Sequence, residues 1–233
     1  MSRQIILDTE TTGLDVTRNH KIIEIGCIEL FDRKYTGKKF HQYLNPMREI
    51  DQGAISVHGI TNEFLKEKPL FQDIKNDLLN FIDGAELIIH NAPFDVGFLE
   101  HEYKKSKSEV EISSICKIFD TLVYARKLHP GQKNSLDALC KRYGVDNSSR
   151  DFHGALLDAR ILGDVYLSMT GGQISFDLIK NKSEKKTNTT IKKHIKSSLV
   201  YKANEEELRK HKEICNKIDE ASSGRCIWNI SKF

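Results

Sequence analysis

Gln4-Ile5-Ile6-Leu7-Asp8-Thr9-Glu10-Thr11-Thr12-Gly13 runs from apolar residues straight into acids and then into turn formers. The apolar part reads as a short strand buried in a sheet. Asp8 and Glu10 stand two residues apart, so on a strand both side chains leave the same face. Two carboxylates held there repel each other, and a cation or a raised pKa has to relieve that repulsion. Oxygen-only ligands suit Mg²⁺ or Mn²⁺. The competing reading is a turn, in which Asp-Thr-Glu-Thr-Thr-Gly simply leaves the sheet for solvent.

Outward from this stretch, Ile22 to Phe31 is rich in β-branched residues, interrupted by Glu24 and Glu29, and Phe40 to Leu44 is bounded by Asn45-Pro46. With turns at Thr12-Gly13 and Asp32 to Gly37, the N-terminal part reads as a β-meander. The period then changes. Phe71, Ile74, Leu78, Leu79 and Ile82 recur at helical spacing, and Asp83-Gly84 closes that helix before an apolar strand at Leu87-Ile88-Ile89. Asn91-Ala92-Pro93 opens the next helix, with proline in its first turn and Phe94, Phe98 and Leu99 on its apolar face. A strand near Ile115 to Phe119 and helices near Thr121 to Leu128, Ser135 to Tyr143 and Gly154 to Met169 follow. Strands first and alternation afterwards predict a mixed α/β fold with a partly parallel sheet.

Gly171-Gly172 ends this body, and a Lys/Ser/Thr/Asn-rich linker extends to about Ser198. Ala203 to Glu220 is densely charged with helical propensity, and the only tryptophan, Trp228, lies in a final apolar stretch. Between Lys180 and Lys196 seven lysines face one acid, Glu184, so a net +6 there leaves −3 for the rest of a chain whose total is +3. A slightly negative body does not hold nucleic acid by a broad basic face; phosphate binding there has to be local or metal-assisted. Five scattered cysteines with no C-x-x-C pair argue against a zinc knuckle or a disulfide framework and fit a reducing compartment. No apolar stretch is long enough for a membrane span, and Met1-Ser2-Arg3-Gln4 meets too short an apolar run for a signal peptide, so a cytoplasmic protein is expected.

Two more acids and a histidine complete a candidate set. Asp95 falls early in its helix, where an acid also complements the helix dipole, so a capping role competes with a chemical one. Asp158 sits inside the last body helix, where a solvated surface acid is the plain alternative. His153 precedes it by five residues, about 140° away on a continuous helix of 3.6 residues per turn. For both to reach one site, His153 has to lie on the loop before Gly154.

Asp8-Thr9-Glu10, Asn91-Ala92-Pro93-Phe94-Asp95 and His153-x4-Asp158 resemble, in order and spacing, the three motifs of the DEDD 3′→5′ exonucleases, and the histidine marks the DEDDh branch. Lys21-Ile22-Ile23-Glu24-Ile25-Gly26, Val57-His58-Gly59-Ile60, Asn134 to Cys140 and Met169 to Gln173 resemble the epsilon proofreading subunits of bacterial DNA polymerase III within that branch. The resemblance implies a ribonuclease-H-like fold, a mixed five-stranded sheet flanked by helices with a flexible C-terminal tail. It implies removal of mismatched 3′-terminal nucleotides as 5′-mononucleotides by two divalent cations, Mg²⁺ or Mn²⁺. Asp8, Glu10 and Asp158 are then metal ligands with Asp8 bridging, Asp95 contributes directly or through water, and His153 is the general base. Thr11, Thr12, His58, Asn91 and Phe94 are expected at the terminal nucleotide, although Phe94 could equally be core and His58 could cap a turn at Gly59.

The implied organisation is an exonuclease domain over 1–172, a clamp-binding segment and basic linker over 173–202, and a polymerase-docking tail over 203–233. Gln173 to Leu178, with Gln173, Phe176 and Leu178 as contacts, resembles the peptide by which such subunits bind a sliding clamp; alternatively Ile174, Phe176 and Leu178 pack back on the body as an amphipathic strand end. Trp228 is the expected anchor to the polymerase catalytic (alpha) subunit. The other implied partners are the 3′ end of single-stranded DNA and a small accessory subunit. The rival readings are an RNA-trimming DEDDh exoribonuclease, usually a homodimer with no need of a tether, and a non-catalytic polymerase scaffold.

Overall fold

A first strand buried on both faces of the sheet organises the protein. The computed structural model describes residues 2–148, 152–171 and 203–222. Strand β1 (Arg3–Thr11) is followed by a 3-10 turn (Val16–Arg18), β2 (Ile22–Phe31), β3 (Lys34–Tyr43), and helices α1 (Gln52–His58), α2 (Asn62–Leu65) and α3 (Phe71–Ile82). Then come β4 (Glu86–Ile89), α4 (Ala92–Lys105), α5 (Ile112–Ile115), β5 (Lys117–Asp120), α6 (Thr121–Leu128), α7 (Leu136–Tyr143), α8 (Ala155–Thr170) and, in the tail, α9 (Glu205–Ala221). The five strands form one sheet in the order β3-β2-β1-β4-β5. β1, β2 and β3 pair antiparallel, whereas β4 pairs parallel to β1 and β5 parallel to β4. This is the mixed, partly parallel sheet expected from the sequence.

Ile5 and Leu7, with Ile25, Cys27, Leu87 and Ile89, pack one face of the sheet against Phe71, Ile74, Leu78 and Ile82 of α3 and Phe98 and Leu99 of α4. Ile6, Leu30 and Ile88 pack the other face against Ala159, Leu162 and Tyr166 of α8. Each of Ile5, Ile6 and Leu7 is fully buried, contributing about 1.5–3 kcal/mol. On its far side α8 turns Ile161 and Val165 towards Ala125 of α6 and Leu139 of α7. Helix α8 therefore has apolar residues on two sides, unlike the one-sided α3.

The helices α3 and α6 and the strand β2 begin and end where the sequence predicts. The second hairpin does not. The expected turn over Asp32 to Gly37 shrinks to two residues, Asp32 (φ 47°) and Arg33 (φ 65°), and β3 starts at Lys34 instead of Phe40. Both turn residues are left-handed, as the twist of a tight hairpin demands, and Arg33 is held there by donating to Leu167 O (2.9 Å) and Thr170 Oγ1 (2.8 Å) of α8. Gly37 (φ 86°) belongs instead to a bulge, where Thr36, Gly37 and Lys38 stand opposite Glu29 between the pairs Leu30/Tyr35 and Ile28/Lys39. Residues 112–115 form a helical turn, so the strand expected from Ile115 becomes Lys117–Asp120. Helices α1 and α2 were not expected; neither is long enough to display a period.

The chain divides into two units, Met1–Ser183 and Glu184–Phe233. In the second, Asn204 accepts the Glu207 N–H and Glu207 returns a bond to the Asn204 N–H, both at 2.9 Å, a capping box that starts α9 near the expected Ala203. Gln173, Phe176, Leu178, Trp228 and the lysine-rich stretch lie outside the described residues. No helix among the described residues is long and apolar enough to cross a membrane.

Gly26 sets how closely α8 approaches β2. A Cβ at this position would lie 2.3–2.5 Å from Leu156 N and from the carbonyl C and O of Ala155, all backbone atoms that cannot rotate away. Gly26→Ala is expected to cost about 1–3 kcal/mol or more, as overpacking does, read as a fall in the urea midpoint at unchanged slope; an unchanged midpoint would refute the close approach.

Candidate active site

The parallel pairing of β1 with β4 covers only Gln4–Ile6, and β4 turns into α4 soon after Ile89. Asp8 and Glu10 therefore keep a neighbour on the β2 side but pass beyond β4, beside the N-terminus of α4. Side chains in the crevice at the carboxyl ends of parallel strands are well placed for ligands.

Asp8 and Glu10 project from the face that packs on α8, and Thr9 from the face that packs on α4. The Thr9 hydroxyl donates to Asp95 Oδ1 at 2.7 Å, drawing the first turn of α4 to the strand end. The start of α4 is itself fixed by Asp120 at the end of β5, whose carboxylate accepts the N–H groups of Asn91 (3.3 Å) and Ala92 (3.1 Å) and caps α6 through Leu122 and Val123. Asn91 is exposed and left-handed (φ 69°) and makes no side-chain cap of its own. Asp95 is 3 % exposed. Burial pushes its carboxyl up to about 7 against the lowering effect of Thr9, so without a cation the charged form is held at a cost.

On the opposite face Asp158 occupies the first turn of α8 and is 3 % exposed. Gly154, the N-cap, is extended (φ −146°), so the chain leaves the helix and His153 folds back over it. His153 Nδ1 lies 3.2 Å from Asp158 Oδ2, and its side chain is 43 % exposed. The loop is tied to α1: the His153 N–H donates to Val57 O at 3.1 Å, and Phe152 lies against Gly59, whose missing Cβ would stand 3.1 Å from the ring. The angular gap expected on a continuous helix is thus removed by ending the helix at Gly154. Glu10, His153 and Asp158 each offer a ligand atom within 4.8 Å of the others. This grouping includes the histidine and omits Asp8 and Asp95.

Beside the acids opens a cleft of about 510 Å³ lined by Glu10, Thr11, Leu14, Val57, His58 and Phe94, among others. His58 Nδ1 accepts the Ile60 N–H at 3.0 Å, so in the neutral ring Nε2 carries the proton. Burial holds this imidazole below its ordinary pKa against the raising effect of the Thr11 backbone beside it, and Nε2 makes no well-formed hydrogen bond among the described residues. The Thr11 hydroxyl donates to Gly13 O (2.7 Å). Thr12 is fully buried, its hydroxyl receiving the Lys21 N–H and meeting His20 Nδ1, both at 3.0 Å, so its side chain belongs to the wall behind the cleft. Sequence reasoning gave no role to Thr9, to Asp120 or to the exposed apolar Leu14 and Val57. Thr9, Leu14 and Val57 adjoin motif residues, whereas Asp120 lies far from all of them in sequence.

The donor set, carboxylate oxygens with one imidazole, fits a hard divalent cation. In the metal-free protein the raised pKa of Asp95 gives a sign to test. Between the unfolded value near 4 and the folded value near 7 the native state holds the extra proton, so stability falls as pH rises through that window. Asp95→Asn keeps the Thr9 hydrogen bond and removes this loss. Its melting temperature in chelator should exceed that of the parent at pH 8 and converge with it below about pH 4; equal melting curves at pH 8 would contradict the buried-charge account.

Comparison with known proteins agrees with this architecture. A profile of the exonuclease family matches residues 5–166. The DNA polymerase III subunit epsilon of Rickettsia typhi is 52 % identical over 221 residues, 93 % of this chain and 96 % of the relative. That of Pasteurella multocida is 46 % identical over 239 residues, 97 % and 93 % respectively. Among solved structures, exonuclease X in complex with 5′-overhanging duplex DNA superposes with a TM-score of 0.57 at 26 % identity, over 73 % of this chain and 92 % of that one. The ribonuclease-H-like sheet, the matched profile and near full-length identity converge on one assignment: the chain belongs to the exonuclease family and, within it, to the epsilon subunits of bacterial DNA polymerase III.

Proposed function

We propose that Asp8, Glu10, Asp95 and Asp158 hold two divalent cations, Mg²⁺ or Mn²⁺, and that His153 is the general base of a 3′→5′ exonuclease that proofreads for DNA polymerase III. The convergence of Glu10, His153 and Asp158 within 4.8 Å beside an open cleft carries this reading. Cations bound there supply a water of lowered pKa and a counter-charge for the leaving 3′-oxygen.

The chain's own residues do the rest. With His153 Nδ1 turned to Asp158 Oδ2 at 3.2 Å, a proton on Nδ1 would leave Nε2 with the lone pair for the proton of the attacking water. The His153 side chain is nearly half exposed, as a group that must reach water and return its proton should be, whereas Asp95 and Asp158 are buried. Phe94 and the neighbouring apolar residues Leu14 and Val57 offer a surface for the terminal base, and the His58 Nε2–H a donor for the nucleotide. The polymerase subunits among the relatives favour a DNA end over RNA trimming and over a scaffold role. The grouping of His153 with Glu10 and Asp158 supports one further possibility, that the imidazole is itself a ligand.

The region from 203 to 233 is read as the attachment to the polymerase catalytic subunit, with Trp228 as anchor, and Gln173, Phe176 and Leu178 as contacts to the clamp. A tether between body and tail makes capture of the primer end nearly intramolecular, at an effective concentration on the order of millimolar.

Asp8→Ala is expected to abolish nucleotide release with Mg²⁺ while the protein stays folded; substantial remaining activity would remove the two-cation assignment. His153→Ala should lose about 10²–10⁴-fold in kcat with Mn²⁺ affinity by calorimetry unchanged, and a large loss of affinity would make it a ligand. Truncation after Lys180 should keep single-strand exonuclease activity and lose co-elution with the polymerase, and Trp228→Ala should weaken co-elution alone. A truncated chain that binds polymerase as tightly as the full one would refute the docking role of the tail.

A further inference from the structure

Glu24 is one of two acids, with Glu29, in an otherwise apolar strand, and it is 2 % exposed. It does not belong to the acids of the motifs, and a buried carboxylate is expensive unless fully engaged. Its partners explain its position. One oxygen accepts the backbone N–H of Ala155 at 3.1 Å, and the other meets His41 Nε2 of β3 at 2.7 Å. Ala155 is the first residue of α8, and Gly154, its N-cap, has no side chain to satisfy the free N–H groups of the first turn. The cap comes instead from a neighbouring strand.

From these contacts we infer that Glu24 is a positioning residue for the reaction, holding the N-terminus of α8 so that Asp158 and His153 meet Glu10. Asp158 is one turn into the helix, its N–H on Gly154 O at 2.8 Å, and His153 is the residue before the cap. Glu24 pairs directly with Glu10 across β1 and β2, so one strand position fixes the helix to the register of the strand acid. Gly26, two residues along the same strand face, lets the backbone of Ala155 and Leu156 come down onto β2. Glu24 and Gly26 thus grip the helix start from the same face, one by hydrogen bonding and one by leaving room. The inference rests on Asp158 and His153 being working groups of the site.

Gly154 also provides a rescue. Its backbone is extended and accepts any residue, and a Cβ there would meet only Glu24 Oε2 at 3.9 Å, so a serine fits and could cap the helix locally. The test uses the full chain, a single-stranded oligonucleotide and Mn²⁺, below the melting temperature of each variant. Glu24→Ala should lower kcat about 10- to 100-fold, the range seen when a group that orients a ligand is removed. KM for the strand should stay within about threefold, and calorimetric Mn²⁺ affinity should fall together with kcat. Glu24→Gln, which keeps an acceptor for Ala155, should lose less than about threefold in kcat, and adding Gly154→Ser to Glu24→Ala should recover at least about threefold of the loss. Unchanged kcat and Mn²⁺ affinity in Glu24→Ala would overturn the inference, as would Glu24→Gln as impaired as Glu24→Ala. If Glu24→Ala does not fold, the Gln variant decides: a loss beyond about tenfold, with the fold intact, overturns it. Asp158→Asn separates the two levels. If it keeps full activity, the reading of the site fails; if it is inactive while Glu24→Ala is not, only the role of Glu24 fails.

Discussion

The backbone of Ala155 and Leu156 occupies the space that a side chain at position 26 would need, and much of the protein's chemistry depends on that approach. It sets α8 against β2 at the depth at which a carboxylate in the first helical turn reaches a carboxylate on the strand. A helix resting one methyl group higher would still bury Ala159 and Leu162 against Ile6 in some form, since apolar packing tolerates volume-conserving shifts. It would carry Asp158 and His153 away from Glu10, whose ligand atoms now lie within 4.8 Å of theirs. Core packing makes the sheet and helix adhere; the missing Cβ of Gly26 and the bond from the Ala155 N–H to Glu24 bring their backbones close at the helix start.

The same site concentrates like charge in low dielectric, which opposes folding in the absence of metal. Three features oppose it in turn. Asp95 and Asp158 lie in the first turns of α4 and α8, where the helix dipole favours an anion. Thr9 donates to Asp95, and His153 stands beside Asp158. Burial still outweighs these at Asp95, whose carboxyl remains raised. Under the proposed reading, a cation bound there would stabilise the fold as well as serve the chemistry, because it would offset the cost of a buried carboxylate charge.

Much of this was legible in the sequence, for identifiable reasons. Helix α3 declares itself because five apolar residues recur at its own period, and β2 because a β-branched run ends at a turn. The acids were legible because i, i+2 spacing on a strand and an acid in a helix first turn have geometric meaning. The rest depended on distant residues. Arg33 adopts a left-handed turn because α8 supplies acceptors for its guanidinium, so local propensity alone favoured a longer turn ending at Gly37. Glu24 looked like an interruption of a strand, since its partner Ala155 is 131 residues away. Thr9, between two acids, had no role assigned, because its partner Asp95 meets it on the opposite face of the strand.

The bulge in β3 has a consequence for how copies of the protein meet in a crowded cell. β3 is an edge strand of the sheet, with backbone groups on its outer side that invite pairing with a second chain. Thr36, Gly37 and Lys38 break its regular ladder, and Lys34, Lys38 and Lys39 put positive charge along it. Glu29 holds the bulge in place through the Thr36 hydroxyl at 3.0 Å and the Lys38 ammonium at 3.4 Å. The opposite edge, β5, is only four residues long and ends in the cap of α6. Both margins of the sheet are thereby made poor templates for strand addition, and self-aggregation through either edge is disfavoured.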